Sequence, residues 1–251
     1  MPPVPARAEF LGVPLDLLTM DESVERCAAL IREGRPVQHV VINAGKCVLM
    51  EDVPDVREIV KRCEIVNADG QSVVWGARFL GIKAPERVAG IDLMGRMIER
   101  CAREGWPVYL LGAKDDVLAA FVAEAKTRHP RLVVAGSRNG YFSADQEVGI
   151  AEAIRDSGAR LLLVGISSPK KERFLAEHLP RMGAVLAMGV GGSFDVWAGK
   201  TRRAPAWMQK VGLDWFYRFA QEPGRMWRRY LIGNLRFGAL ILRARLHRYE
   251  S

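Results

Sequence analysis

Asp69 stands in Asn67-Ala68-Asp69-Gly70, directly after an apolar run. A carboxylate at the end of a strand can take a proton from an attacking hydroxyl, the work of a general base. A turn aspartate that hydrogen-bonds its own backbone has the same local sequence, so both readings stand at this point. Ser167-Ser168-Pro169-Lys170-Lys171-Glu172 follows a second apolar run and opens a helix. Free amides at a helix N-terminus beside two lysines would suit a diphosphate. An N-cap serine, a proline at the first helical position and solvated lysines are the plainer alternative. Gly112-Ala113 and Gly191-Gly192 are turns after strands that let a phosphate or ribose come close to the backbone. Neither continues into a dinucleotide fingerprint, and no GxxxxGK[ST] loop occurs. Asp-x-Asp and HExxH are absent, and His39, His129, His178 and His247 are scattered. A bound diphosphate must then be neutralised by Arg and Lys; Arg87, Lys170, Lys171 and the arginines near the C-terminus are the candidates.

The elements that position these groups alternate. Residues 37–43, 63–67, 108–111, 132–135, 161–164 and 184–190 read as strands, being short apolar runs rich in β-branched residues. Residues 52–62, 91–103, 115–129, 144–157 and 169–178 read as helices between them. This pattern predicts an α/β fold, a Rossmann-like, mostly parallel sheet with helices on both faces. Ligands of such sheets bind beyond the carboxyl ends of the strands, so the turns after Asn43, Asn67, Leu111, Val164 and Val190 hold the chemistry.

The 251 residues are 49% hydrophobic and 26% charged, enough for a large core and against global disorder. The four cysteines fit neither a zinc site nor a disulfide framework and are expected as buried thiols. The net charge of +8 belongs to one segment: residues 199–251 hold 12 Lys/Arg and 3 Asp/Glu, and half of the six Trp. The reading is therefore of two parts, a catalytic domain over residues 1–199 and a basic, aromatic-rich helical appendage over 200–251. Residues 206–220 and 224–249 read as its helices. On the second, Arg225, Arg229, Arg236 and Arg243 fall within about 40° of one another. Trp227, Tyr230, Phe237 and Ile241 gather on the opposite side. Such a helix suits a membrane interface, and a helix packed on the core with a solvated arginine face is the alternative. No run is long and apolar enough to span a bilayer and no secretory signal is evident, so a cytoplasmic protein, peripheral on the inner face of the membrane, is expected.

The order and spacing of these blocks resemble the WecG/TagA/CpsF glycosyltransferases (glycosyltransferase family 26). The likeness runs over residues 10–235. Its carriers are Asn67-Ala68-Asp69-Gly70 with Val74-Trp75-Gly76, Glu86-Arg87-Val88-Ala89-Gly90-Ile91-Asp92-Leu93, and Gly140-Tyr141-Phe142. Ser168-Pro169-Lys170-Lys171-Glu172 and Gly191-Gly192-Ser193-Phe194-Asp195 follow. The appendage adds Arg203-Ala204-Pro205-Ala206-Trp207, Gly212-Leu213-Asp214-Trp215-Phe216-Tyr217-Arg218 and Glu222-Pro223-Gly224-Arg225.

The resemblance implies a GT-E-like fold and an inverting hexosyltransferase. Its donor would be a UDP-sugar, its acceptor an undecaprenyl-diphosphate-linked saccharide, and its product part of a surface polysaccharide. It sets Asp69 as base, Asn43 near base and acceptor, and Arg87 near the donor. Gly112, Ala113, Lys171, Gly191 and Gly192, with Arg218, Arg225 and Arg228, would surround the diphosphate. Trp227, Tyr230, Arg229 and Arg236 would dock the appendage on anionic lipid. No metal or other cofactor is expected, and off the membrane the chain would form homo-oligomers. Val41 and Lys171 stand where the family often has Thr and Gln. A nucleic-acid-binding protein using the basic appendage does not account for the near-neutral body, and a nucleotide-dependent oxidoreductase lacks its fingerprint.

Overall fold

The computed structural model describes residues 6–183, 185–210, 214–221, 224 and 232–247. A short antiparallel hairpin, β1 (Arg7–Phe10) and β2 (Val13–Asp16), precedes the main sheet. The six strands of that sheet are β3 (Val37–Ile42), β4 (Ile65–Ala68), β5 (Val108–Gly112), β6 (Val134–Arg138), β7 (Leu161–Gly165) and β8 (Leu186–Gly189). They lie in the order β4-β3-β8-β7-β5-β6, and every pairing among them is parallel. All six carboxyl ends therefore open on one edge. β6 begins two residues later than expected, because Leu132 N–H closes a turn onto the His129 carbonyl before the strand can start.

Side chains alternate across a strand, so each inner strand feeds two cores. β7 sends Leu161 and Leu163 to one face, Leu162 and Val164 to the other. The first face is covered by α1 (Met20–Glu33), α5 (Gly90–Glu104), α6 (Asp115–Arg128) and α9 (Ser193–Trp197). The second carries α2 (Ala44–Asp52), α3 (Pro54–Lys61) and α4 (Gln71–Phe79) at one end, α7 (Glu147–Asp156) and α8 (Lys170–His178) at the other. All four cysteines are buried and unpaired. Burial pushes their thiols up to about 12, which leaves them inert.

The appendage contributes α10 (Ala206–Lys210), α11 (Asp214–Gln221) and α12 (Gly233–His247). Of its expected aromatic-aliphatic side, Phe237 and Ile241 do not face outward, as in the alternative of a helix packed on the core. Both are buried, against α2 and α4. Gly76 of α4 is the reason: a Cβ there would meet Ile241 Cδ1 at 2.8 Å and Phe237 Cζ at 3.3 Å, so the bare backbone forms the seat. Arg236 pins the same helix to α2 through both carboxylate oxygens of Asp52, at 2.8 and 2.5 Å. The opposite side of α12 carries Leu235, Leu242 and Leu246, each more than half exposed, with Ile232 just ahead of the helix. No helix among the described residues is long and apolar enough to cross a membrane.

Candidate active site

Asp69 leaves the end of β4 with its N–H donated to the Ile42 carbonyl of β3 (2.8 Å), so the residue is tied between two strand ends. Gly70 follows with φ +141°, a conformation that favours glycine, and turns the chain into α4. A Cβ on Gly70 would lie 3.6 Å from Asn43 Cβ. One on Gly90, the first residue of α5, would lie 3.6 Å from Asp69 Oδ2 and 3.4 Å from Val41 Cγ2. Asp69 and Val41 thus meet over the start of α5, and Asn43 lies against the Gly70 turn beside them. Val88 N–H donates to the Ala68 carbonyl (2.8 Å) and holds the loop that carries half-buried Arg87 against β4. Asn43 caps α2, its Oδ1 accepting from Lys46 N–H at 2.9 Å. The start of the appendage is anchored nearby: Arg203 grips Asp92, in the first turn of α5, through two bonds of 2.6 and 2.5 Å.

One helical turn beyond Asn43, the buried Lys46 reaches across to α8. Its ammonium donates to Ser168 Oγ (2.8 Å) and makes a short bond to Glu172 Oε1. Ser168 donates to the same oxygen at 3.0 Å. Lys171 completes the cluster from 3.5 Å, its stem lying over Gly189, where a Cβ would come within 2.8 Å of Lys171 Cε. The carboxyl of Glu172 is fully buried, which disfavours its charge, yet the Lys171 and Lys46 charges and these hydrogen bonds hold its pKa below the usual range. Burial, then the charge of Lys46, draws Lys171 down to about 8 against the opposing pull of Glu172. The plainer reading of this segment, a serine cap beside solvated lysines, does not hold. Ser168 caps no helix, because its hydroxyl is spent on Glu172, and Lys171 is buried. Lys170 lies over the Phe142 ring and donates to the Phe142 carbonyl at 2.7 Å.

The glycine-bearing turns line the next stretch of the edge. Gly112 has φ +128°, and a Cβ there would fall 2.5 Å from the Gly165 carbonyl carbon. Ala113 is held at φ +60°, its carbonyl accepting from Gly140 N–H at 3.0 Å. Gly112, Gly165 and Gly140 so let the backbone after β5, β6 and β7 pack closely at the sheet edge, and Gly191, at φ +52°, turns the chain after β8. Beside these turns, Asn139 donates to Asp115 at 3.1 Å and accepts from Tyr141 N–H, and the Tyr141 side chain stands exposed over a small surface hollow.

The expected residues therefore divide. Asp69, Asn43, Arg87, Gly112, Ala113, Lys171, Gly191 and Gly192 all lie along the carboxyl edge. Arg218 falls in α11. Arg225, Trp227, Arg228, Arg229 and Tyr230 lie outside the described residues. Arg236 is bound to Asp52, on the outer side of α2. Lys46 and Glu172 were overlooked as a pair; the one sequence signal for Lys46 is its place three residues after an N-cap asparagine. His39 is structural: Asn67 donates its amide to Ser23 Oγ, so His39 Nε2–H donates to Asn67 Oδ1 (3.0 Å) and Nδ1 stays bare. Glu147, Glu177 and His178 come within 4.8 Å of one another at the far end of α8 from Lys171.

A parallel sheet covered on both faces, with a carboxylate and glycine-lined turns along its carboxyl edge, defines an α/β protein of the Rossmann-like, ligand-binding class. Within that class the chain belongs to the WecG/TagA/CpsF glycosyl transferase family, whose model matches residues 8–251. It is a glycosyltransferase.

Proposed function

We propose that the protein moves a hexose, N-acetylhexosamine or uronic acid unit from a UDP-sugar to a polyprenyl-diphosphate-linked saccharide, with inversion, in the assembly of a surface polysaccharide. The observation that carries this reading is that Asp69 and Asn43 lie at the same sheet edge as the glycine turns after β5 and β8. Adjacent strands are about 4.8 Å apart, so the four strand intervals from β4 to β5 span about 19 Å. That length suits an extended nucleotide-diphosphate sugar with its uridine by Tyr141 and Asn139 and its anomeric carbon near Asp69. In the transfer, the acceptor oxygen attacks the anomeric carbon while its proton passes to the Asp69 carboxylate. The bond from that carbon to the diphosphate oxygen breaks, and UDP leaves with the electron pair. Arg87, Lys171 and the appendage arginines Arg218, Arg225 and Arg228 would stabilise the departing charge without a metal.

The lipid acceptor also needs a surface. Leu235, Leu242 and Leu246 form an exposed apolar stripe on α12, flanked by Arg236 and Arg243. A stripe of this kind would rest in the interface of an anionic membrane at the cytoplasmic face. This stripe would take the docking part expected of Phe237 and Ile241. Away from lipid the same stripe would favour homo-oligomers.

The test is transfer from a panel of UDP-sugars to a polyprenyl-diphosphate saccharide, with and without EDTA. Asp69→Asn keeps the shape and removes the base, and is expected to lower kcat by about 10²–10⁴-fold. Near-native turnover by that variant would remove Asp69 from the chemistry. Strong inhibition by EDTA would replace the arginines by a metal.

A further inference from the structure

Residues 202–204 tie the body and two helices of the appendage to one point. Arg203 grips Asp92 with two bonds of 2.6 and 2.5 Å. The Arg202 carbonyl accepts from Gln221 Nε2, at the end of α11, at 3.1 Å. The carbonyl of the buried Ala204 accepts from Gln209 Nε2, on α10, at 2.6 Å. Just upstream, the Lys200 and Thr201 N–H groups donate to the Asp195 carbonyl in α9, at 2.9 and 3.1 Å. The Lys200 ammonium bonds Asp116 at the start of α6. The segment is thus fixed to α9, α6 and α5 before α10 begins.

Asp92 sits in the first turn of α5, the helix whose first residue, Gly90, lies beside the Asp69 carboxylate. The Arg203 and Asp92 side chains are 34% and 38% exposed. An ion pair so open to water adds little to stability. An acid in the first turn would favour α5 by itself, without a partner. Two parallel bonds between planar groups, however, fix direction as well as distance. What the pair supplies is therefore register, and the helix it registers is α11. Arg218 lies there, three residues before Gln221.

We propose that Arg203 is a positioning residue for the transfer: its grip on Asp92 holds α11, and with it Arg218, in register with the edge that carries Asp69. The proposal rests on the reading above, in which Arg218 stabilises the departing diphosphate. Arg203 itself touches neither sugar nor diphosphate. A misplacement of about 1 Å in a group that acts on the reacting atoms costs about 10²-fold in rate, so a lost grip is felt in turnover even where the fold is kept.

The test is steady-state transfer by the full-length protein, with the UDP-sugar that supports turnover, for Arg203→Ala, Asp92→Asn, Arg218→Ala and the double variant of Arg203 and Arg218. Arg203→Ala and Asp92→Asn are each expected to lower kcat by about tenfold to a hundredfold with the donor KM within about twofold, since the lost interaction belongs to the transition state. In the Arg218→Ala background the Arg203 loss is expected to shrink to about threefold or less, because residues that act through one another do not add. Thermal unfolding is expected to move little. Arg203→Lys, which keeps the charge and loses the paired geometry, stands in for Arg203→Ala if that variant does not fold. Native kcat in both Arg203→Ala and Asp92→Asn overturns the proposal. So does full activity of Asp92→Asn beside an impaired Arg203→Ala, since Arg203 then acts without its partner. Losses that multiply in the double variant also overturn it, because the pair then acts on something other than α11. Native turnover by Arg218→Ala overturns it while transfer stands. A wild type that transfers from no UDP-sugar refutes the functional reading itself, a different failure.

Discussion

Replacing Glu172 by glutamine keeps its shape and removes the one negative charge between Lys46 and Lys171. Breaking a buried ion pair by deleting one partner costs about 3–5 kcal/mol. The structure allows the two lysines' shares to be separated. Lys171 folds with a pKa of about 8 against 10.5 in the open chain, so its burial penalty is full below pH 8 and fades as pH rises toward 10.5. Without Glu172 its pKa drops further, and near pH 7 it escapes by losing its proton. That escape limits its share of the extra cost to about one pKa unit, or about 1 kcal/mol. The remainder falls on Lys46, left with Ser168 alone. The variant is therefore expected near the lower end of the range, about 3 kcal/mol, a fall in Tm of roughly 6–12 °C for a chain of this size. At pH 9 Lys171 is mostly neutral in both proteins, so the deficit should shrink by about 1 kcal/mol. Urea unfolding at pH 7 and 9 reads both numbers. A loss under about 1 kcal/mol at pH 7, or a deficit that does not change with pH, would refute this account of the cluster.

His39 makes a second pH signature. Its folded pKa of about 4 lies below its open-chain value of 6.5, so the stability from keeping it neutral is complete above pH 6.5 and lost as pH falls toward 4. The loss is on the order of 3 kcal/mol, and His39→Gln should remove that part of the unfolding free-energy slope between pH 6.5 and 4; an unchanged slope would place the titration elsewhere. On the surface, Leu242→Glu should weaken pelleting with anionic vesicles about tenfold or more. Its side chain is more than half exposed, so Tm should hardly move; unchanged pelleting would free the α12 stripe from any part in docking.

The alternating elements were legible because the main-sheet strands are short apolar runs and helices such as α3 and α5 carry apolar residues at helical spacing, and both are properties of local sequence. Five of the six strands of the main sheet fall where those runs lie, and Asp69, Gly112 and Gly191 were legible as strand-end positions for the same reason. The hairpin β1–β2 escaped notice, its strands being only four residues long with Pro14 inside the second. Helix α1 carried a readable sign, the Thr19–Glu22 capping box, which the structure forms.

What the sequence determined by itself was therefore the class of sheet and the turns in which chemistry is possible, since period, turn residues and charge asymmetry act over a few residues. The strand order β4-β3-β8-β7-β5-β6 was decided only by tertiary packing, and with it the meeting of Lys46 with Glu172, 126 residues away. Periodicity shows that α12 has an apolar side without showing which side finds a partner. Gly76 settles that by offering bare backbone to Phe237 and Ile241, which leaves the leucines outside. A buried charge likewise takes its meaning from the counter-charges folded around it, and those come from distant parts of the chain.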